Sequence, residues 1–187
     1  MKPLDRLLQR WRIARAAAFI PDGSRVLDIG CHDGALFRQL APRLGAGVGV
    51  DPLADNALAL GTEFRLVRGA LPDALPAGDL FDVVTCLAVL EHVPASEQRA
   101  FVAECGARLK PGGRLIITVP APVVDGILRW LLRLRLVEGM SLEQHHGFDP
   151  EQTLALAAAA GLERVTRRRF QLGLNNLFVF RQPPPAS

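Results

Sequence analysis

The fold of this chain is decided by the stretch Val26-Leu27-Asp28-Ile29-Gly30-Cys31-His32-Asp33-Gly34. An apolar run ends at a carboxylate, two glycines enclose a short loop, and the residues that follow, Ala35 to Leu40, have helical spacing. Glycine permits a positive φ and lets a ligand approach the main chain, while the start of a helix offers unpaired N–H groups. The stretch therefore predicts a strand, a ligand-binding loop and a helix. Many strand–helix turns carry glycine only in order to turn, so the rest of the chain must decide whether this loop binds a ligand.

Length and composition describe one globular domain. The chain has 187 residues, of which 49% are hydrophobic and 22% are charged. Its formal net charge is +3, but the arginines are spread along the chain without interleaved aromatic residues, so no nucleic-acid partner is expected. The cysteines, Cys31, Cys86 and Cys105, lack the spacing of a metal-binding motif, and free thiols are typical of the reducing cytoplasm. No metal site is expected.

The first twenty residues predict a helical flap. Charged residues interrupt any signal-peptide core, and no stretch of about 18 uncharged apolar residues could span a bilayer, so we expect a cytoplasmic protein without a transmembrane segment. Helical spacing between Pro3 and Phe19 groups Leu4, Leu7, Leu8, Trp11, Ala14 and Ala18 on one face, with Arg6, Gln9, Arg10 and Arg12 facing away. Such a basic amphipathic helix either packs on its own domain or lies on a membrane, and we expect the former.

A second short strand, Ala46 to Val50, ends in Asp51-Pro52. This acidic residue follows the glycine loop by about 20 positions, which is the spacing of a ribose-binding carboxylate in a nucleotide-binding unit. Further strands are predicted at Glu63–Arg68, Leu80–Leu87 and Arg114–Val119, with helices at Ala54–Leu60 and Pro94–Leu109 and a turn at Lys110–Gly113. Alternation of this kind gives a doubly wound parallel sheet, and the carboxyl ends of its strands would bring together Asp28, Asp51, Ala70 and Leu87.

The last third of the chain combines an apolar segment with a closing hairpin. Between Pro122 and Val137 the pattern predicts a helix of about 16 residues that is apolar nearly all round and too short to cross a bilayer. Such a surface needs burial, a substrate or a membrane. A helix from Pro150 to Ala160 follows, and the strands Glu163–Gln171 and Leu177–Arg181 predict an antiparallel hairpin. The proline-rich tail, residues 182–187, is expected to be disordered.

Four motifs in this order resemble the class I S-adenosylmethionine-dependent methyltransferases, specifically the type 11 group that includes ubiquinone and menaquinone biosynthesis methyltransferases. The motifs are Val26–Cys31 with Gly34, Val50-Asp51, Phe81–His92 and Leu109–Arg114, and Phe148–Glu151 with Ala160–Leu162 extends the match. The resemblance implies a Rossmann-like, doubly wound α/β fold whose seven-stranded sheet is mostly parallel with an antiparallel last strand. It implies a single methyltransferase domain over residues 1–181, with the flap at 1–20 and a variable substrate cover at 120–148.

The resemblance also implies S-adenosylmethionine as the cofactor and locates its site. Asp28 and the loop from Gly30 to Gly34 would hold the methionine part, and Asp51 would take both ribose hydroxyls through its two oxygens. For Asp28 the alternative is a bracing role within the loop, without ligand contact. The implied cofactor-binding residues are Asp28, Gly30, Cys31, His32, Gly34, Asp51, Pro52, Leu53, Ala70, Leu71 and Leu87.

Two positions depart from the family pattern. His32 stands where the loop usually has another glycine, and its side chain either donates to the cofactor or points to solvent. Ala70 stands where an acidic residue commonly follows the third strand, so adenine recognition would depend on main-chain and apolar contacts unless Asp73 substitutes for that residue.

Methyl transfer from an activated sulfonium needs alignment more than a catalytic apparatus. If the acceptor is a hydroxyl or an acidic carbon, a histidine base helps, and the candidates are His145, His146 and His92. The apolar segment favours a hydrophobic, lipid-like or other small-molecule acceptor, with peripheral membrane contact as a further option. The sequence leaves open a monomer or a homodimer. A non-catalytic module that binds S-adenosylmethionine to regulate a partner is the alternative function.

Overall fold

The computed structural model describes residues 3–56, 60–121 and 149–184. The helices in these ranges are α1 (Pro3–Ala17), α2 (Ala35–Leu40), α3 (Gln98–Ala107) and α4 (Pro150–Ala159), with short 3₁₀ turns at Ala41–Arg43 and Leu90–His92. The strands are β1 (Arg25–Ile29), β2 (Ala46–Asp51), β3 (Phe64–Arg68), β4 (Phe81–Leu87), β5 (Leu109–Pro120), β6 (Glu163–Phe170) and β7 (Asn175–Arg181). No helix in the described ranges has both the length and the apolar character needed to cross a membrane.

The strands form one seven-stranded sheet in the order β3-β2-β1-β4-β5-β7-β6. Strands β1 to β5 are parallel, whereas β7 runs antiparallel to both of its neighbours. The central strands β1 and β4 are buried almost throughout, as parallel strands covered on both faces are. The predicted fold, a mostly parallel doubly wound sheet with an antiparallel last strand, is confirmed.

Apolar residues that alternate along the strands build a separate core on each face of the sheet. The neighbours Val26 and Leu27 of β1 belong to different cores, because consecutive residues of a strand point to opposite faces. The core around Leu27 is closed by α3 and α4, through Val102 and Ala157. The core around Val26 is closed by α1 and α2. The domain therefore has three layers, and the loops that follow the parallel strands meet at one edge of the central layer.

Helix α1 packs on the domain with a different face from the one predicted. The buried residues are Ile13, Ala16, Ala17 and, just after the helix, Ile20. Leu7 and Trp11, which the sequence pattern placed inside, are 60% and 37% exposed, and Arg12, predicted to face away, is half-buried. The physical reason is volume: two adjacent alanines let the helix approach the sheet closely, and close packing favours that face over the larger side chains.

The prediction of a helix at Ala54–Leu60 is wrong for the residues of this segment that the structure describes. Ala54, Asp55 and Leu60 lie in no helix, and Asn56 lies in a turn. Long-range hydrogen bonds explain the difference, because Asn56 Oδ1 accepts from the main-chain N–H of Arg68 at 2.7 Å, and Arg68 Nε donates to the Ala54 carbonyl at 2.9 Å. These bonds tie the segment to the end of β3 in an irregular conformation.

Two boundaries around β5 also differ from prediction. The expected turn at Lys110–Gly113 lies inside β5, where the register with β4 shifts and Gly112 has a φ of 78°, so the glycines form an irregularity in a longer strand. The helix predicted from Pro94 begins at Gln98, because a turn closed by the Glu97 N–H and the Pro94 carbonyl at 2.8 Å precedes it.

Predictions for residues 122–148 lie outside the described residues. They include the apolar segment Pro122–Val137 and the histidines His145 and His146. At the start of the expected tail, Gln182 donates its N–H to the Gly113 carbonyl and accepts from the Gly112 N–H, each at 2.9 Å. Gln182 is therefore attached to the sheet rather than part of a disordered tail.

Gly47 and Gly106 provide a matched test of this packing. A Cβ at Gly47 in β2 would lie 2.3 Å from Phe37 Cε1, and Phe37 is fixed by burial and by stacking on Phe64. We expect Gly47→Ala to lower the free energy of unfolding by about 1–3 kcal/mol. A Cβ at Gly106 in α3 would make an ordinary 3.6 Å contact with Leu162, so Gly106→Ala should raise that free energy by up to about 1 kcal/mol. Urea denaturation measures both changes, and a stabilising Gly47→Ala would contradict the packing described.

Candidate functional site

The candidate site lies where the loops after β1, β2 and β4 meet. The sheet register pairs Asp28 of β1 with Gly49 of β2 and Thr85 of β4, so the ends of these three strands are level. Carboxyl ends of neighbouring parallel strands form the usual ligand-binding edge of an open α/β sheet. The acidic residues that the sequence singled out, Asp28 and Asp51, are therefore brought to one place.

The loop after β1 has a backbone that few residues other than glycine can adopt. Gly30 and Gly34 have φ values of 75° and 71°, and His32 between them has a φ of 45°. A Cβ at Gly30 would lie 2.3 Å from Cγ2 of Val89, which comes from the turn after β4. Gly30 is required by both its conformation and this contact. His32 is exposed and has a left-handed backbone conformation. The glycine that usually stands at this position of the loop would adopt the same conformation.

The Asp51 carboxylate joins two loops of the site. Its Oδ2 accepts the main-chain N–H of His32 at 3.0 Å, and its Oδ1 accepts the main-chain N–H of Leu53 at 2.7 Å. The Asp51 carbonyl accepts the N–H of Gly69 at 3.1 Å, which also brings the loop after β3 to this edge. Each carboxylate oxygen can accept more than one hydrogen bond, so Asp51 retains acceptor capacity for a ligand.

Asp28 is buried and held by β4. It is 5% exposed, and its Oδ1 accepts the hydroxyl of Thr85 at 2.7 Å. Burial raises the pKa of Asp28 to about 7, the hydrogen bond from Thr85 opposes this rise, and the negative charge of Asp51 adds to it. This contact braces Asp28 against the neighbouring strand β4 and not within its own loop, and both predicted roles of Asp28 stay predictions.

A small cavity of about 40 Å³ connects Asp28 to helix α1. Its walls include Arg12 and Ile13 of α1, Asp28 and Gly30, and Leu87 at the end of β4. Its volume is comparable to that of one water molecule. Helix α1 is therefore part of the site and not only a cover on the domain surface.

Arg12, which lines this cavity, interacts electrostatically with the opposite charge of Glu91. Within the described residues, the buried atoms Arg12 Nε and Glu91 Oε2 have no hydrogen-bond partner. Burial lowers the pKa of Arg12, although the charge of Glu91 opposes that change. Burial raises the pKa of Glu91 to about 7, against the hydrogen bond from its own backbone and the charge of Arg12. Unsatisfied buried polar atoms are unusual in proteins, so these two atoms are candidates to bind a water molecule or a polar ligand.

Sequence reasoning missed Arg12, and the only signal available was its place in an arginine-rich helix. Arg12 was predicted to face away, like Gln9, yet both line the cavity. Glu91 was part of a quoted motif, but no role was assigned to it. The half-buried Leu87, one of the cofactor-binding residues that the resemblance implies, lines the same cavity.

The other residues predicted for the site differ in how far they are exposed. Cys31 is 3% exposed and its thiol packs against β2 at Gly49, so its main chain rather than its side chain is available to the loop. Pro52, Leu53 and Ala70 are exposed, and Leu71 is half-buried against the core. His92 is exposed in the 3₁₀ turn after β4.

Comparison with known proteins identifies relatives of this chain. A family model described as "Methyltransferase domain" matches residues 3–166. The curated ubiquinone biosynthesis O-methyltransferase of Idiomarina loihiensis is 34% identical over 161 residues, which are 76% of this chain and 63% of that protein. The protein of the same name from Cronobacter sakazakii is 38% identical over 63% of this chain and 51% of its own length. This chain thus spans less than two thirds of the length of these relatives.

Solved structures share the fold at low sequence identity. A crystal structure of a methyltransferase from Bacillus halodurans, itself described as putative, has a TM-score of 0.69 and 17% identity, covering 91% of this chain and 98% of its own. The 1,6-didemethyltoxoflavin-N1-methyltransferase of Burkholderia thailandensis, solved with bound S-adenosylhomocysteine, has a TM-score of 0.68 and 20% identity, covering 93% of this chain and 77% of its own. At these identities the comparison concerns the fold alone.

The raised pKa of Asp28 predicts how the stability of the ligand-free protein depends on pH. The folded state binds the proton of the Asp28 carboxyl group more tightly than the unfolded state does. The contribution of Asp28 to the free energy of unfolding is therefore greatest below about pH 4 and falls as pH rises toward 7. Asp28→Asn keeps the size and the acceptor for Thr85 but removes the charge. We expect the stability of the variant relative to that of the unaltered protein to increase by roughly 1–3 kcal/mol between pH 5 and pH 8. Thermal or urea unfolding at both pH values measures this, and a stability difference that is the same at both pH values would contradict it.

Proposed function

Because this chain belongs to the methyltransferase domain family, we propose that it transfers a methyl group from S-adenosylmethionine to a small hydrophobic acceptor. Family membership confirms the resemblance found in the sequence. One observation supports the proposal most directly: the Asp51 carboxylate stands at the end of β2, held by main-chain N–H groups of the glycine loop and of its own loop. A fixed acceptor pair at this position suits the two vicinal hydroxyls of a ribose.

The residues present fit the nucleoside half of the donor. Asp51 would accept the ribose hydroxyls with its remaining acceptor capacity. Pro52, Leu53 and Leu71 would provide apolar contacts for the adenine, with Ala70 in the place of an acidic residue. Leu53, at 77% exposure, is one of the few large apolar side chains left open to solvent in the described chain, which suits a ligand-covered position.

The residues also fit the methionine half. The unpartnered Arg12 Nε suits a carboxylate, and the unpartnered Glu91 Oε2 suits an ammonium group. Asp28 provides a carboxyl group that lines the cavity together with Arg12, Gly30 and Leu87. An amino acid carries both charges on one carbon, so a pair of opposite protein charges beside a narrow cavity is the arrangement that would recognise it.

The chemistry needs few protein groups beyond these. When bound, S-adenosylmethionine supplies a methyl group that is already activated by a positive sulfur. The chain's own part is to align donor and acceptor for in-line displacement and to keep water away, and α1 would contribute by covering the cavity through Arg12 and Ile13. If the acceptor is a hydroxyl, a neutral histidine would take its proton, and His145, His146 and His92 are the candidates.

The acceptor is proposed to be hydrophobic and hydroxylated. The relatives from Idiomarina loihiensis and Cronobacter sakazakii are O-methyltransferases of ubiquinone biosynthesis, which suggests a quinone-like precursor for this chain. The apolar residues of the segment 120–148 would form the acceptor cover. A lysate incubated with labelled donor tests the activity as a whole. A labelled small molecule supports the enzyme, whereas donor binding without transfer to any acceptor would favour the regulatory module instead.

The affinity for the methyl donor should depend on Arg12 but not on a neighbouring arginine of the same helix. We expect Asp51→Ala to weaken donor affinity about 100-fold and Arg12→Ala about 10-fold or more, since each removes hydrogen bonds to charged or polar donor groups. Arg15→Ala, which removes an exposed arginine of α1, should leave affinity unchanged. Isothermal titration calorimetry gives all three values. Normal donor binding by Asp51→Ala would reject the ribose assignment, and equal binding by the two arginine variants would reject Arg12.

The base can be identified from the pH dependence of turnover. For a hydroxyl acceptor, the rate should fall at low pH as the histidine base becomes protonated. Alanine substitution of the correct histidine among His92, His145 and His146 should lower turnover by roughly 100-fold or more and abolish that low-pH limb. Donor affinity, measured alongside, should stay unchanged. A profile that is identical in all three variants would show that no histidine among them acts as the base.

A further inference from the structure

The outward face of α1 carries apolar side chains in a row. Leu7 is 60% exposed and Trp11 is 37% exposed, one helical turn apart. Ala14 and Ala18 continue the same stripe and are also exposed. The opposite face of the helix is the one buried against the sheet, so α1 has two apolar faces rather than one.

Arginines lie on both sides of this stripe. At about 100° per residue, Arg10 falls on one side of the line from Leu7 to Trp11, with Arg6 beyond it, and Arg15 falls on the other side. All three arginines are exposed, and none forms an ion pair with another residue in the described ranges. A solvated helix face usually carries polar residues in its centre, whereas here the charges flank large apolar groups.

The turn between β6 and β7 adds a third exposed apolar side chain next to the helix. Leu172 is 95% exposed, and both it and Gln171 have positive φ values, 57° and 51°. Gln171 is 3% exposed; its Nε2 donates to the Leu8 carbonyl of α1 at 3.0 Å, and its Oε1 accepts from Asn175 Nδ2 at 2.5 Å. These bonds hold a strained turn against α1 with Leu172 directed outward.

The resulting patch, defined as Leu7, Trp11 and Leu172 with Arg6, Arg10 and Arg15, borders the candidate site. Strand β6 runs antiparallel to β7 and therefore parallel to β5, so its carboxyl end lies at the same edge of the sheet as those of β1 and β4. The same helix lines the cavity through Arg12 and Ile13. Of the five large apolar side chains exposed in the described chain, three belong to this patch.

We propose that this patch docks the protein on the surface of an anionic lipid bilayer. The apolar side chains would enter the interface while the flanking arginines meet lipid phosphates, which is how basic amphipathic helices bind membranes. A second copy of the chain is the poorer occupant, because a two-fold interface through this face would bring arginines against arginines. Docking would bring the site close to a hydrophobic acceptor dissolved in the bilayer. This role in supplying the acceptor rests on the proposed function, whereas the docking itself does not.

Vesicle co-sedimentation tests the docking without donor or acceptor present. The protein should bind phosphatidylcholine vesicles that contain phosphatidylglycerol and bind pure phosphatidylcholine vesicles much more weakly. Trp11→Ser combined with Leu172→Ser should lower the partition coefficient at least tenfold. Arg10→Gln combined with Arg15→Gln should lower it about 30-fold, since each basic residue near an acidic leaflet contributes roughly a factor of five.

Matched controls remove the same kind of group elsewhere. Val165→Ser removes an apolar side chain that is 52% exposed on β6, and Arg99→Gln combined with Arg164→Gln removes two exposed charges away from the patch. These controls should bind acidic vesicles like the unaltered protein. Absence of binding by the unaltered protein, or equal binding by patch and control variants, would overturn the proposal. A dimer in solution that Trp11→Ser converts to a monomer would also overturn it, by assigning the face to a second copy.

Failure of the docking and failure of the proposed function give different results. All patch variants should bind donor with unchanged affinity by calorimetry, since their side chains lie outside the cavity. Loss of acidic-vesicle binding with intact donor binding is the result expected of a membrane-docking surface. A protein that docks on acidic vesicles but never binds donor would contradict the proposed function and leave the docking supported.

Discussion

The hydrogen bonds of the Asp51 carboxylate organise the candidate site. One oxygen holds the main chain of the glycine loop at His32, and the other holds the loop that follows β2 at Leu53. The glycine loop is therefore fixed against the sheet before a ligand is present, including the left-handed conformation of His32. A loop that is already ordered loses less conformational entropy on binding, so affinity depends less on new contacts. The same charge disfavours ionisation of Asp28 beside it, which links the two ends of the site electrostatically.

Much of the fold follows from local sequence patterns. Buried strands such as β4 are apolar runs bounded by turn residues, and the acidic residue Asp51 is the last residue of β2. Patterns fail where distant contacts decide the structure. The segment after Asp51 is not helical, because Asn56 and Ala54 bond to Arg68, which no local pattern shows. For α1, periodicity offers two apolar faces, and packing selects the alanine face although hydrophobicity favours Leu7 and Trp11.

The candidate site shows the same contrast: some of its residues follow from local sequence patterns, and others depend on distant contacts. Asp28, Gly30 and Asp51 follow from spacing along neighbouring strands, because parallel strands align their carboxyl ends. Arg12 and Glu91 come from a helix and a turn that are far apart in the chain, and their proximity depends on how α1 is rotated on the sheet. A single sequence with several arginines in one helix cannot show which of them turns inward. The consequence is that the interaction between Arg12 and Glu91 is a product of tertiary packing.

The position of β7 has a consequence for how the chain folds during synthesis. It is the final strand in chain order, yet it lies between β5 and β6, and six of its seven residues are buried. Strand β6 pairs only with β7 in the described sheet, so it has no place in the sheet until β7 has left the ribosome. Until then the edge of β5 presents unpaired main-chain groups, which are a template for aggregation. A chain interrupted before Asn175 would therefore leave two strands, not one, outside the sheet.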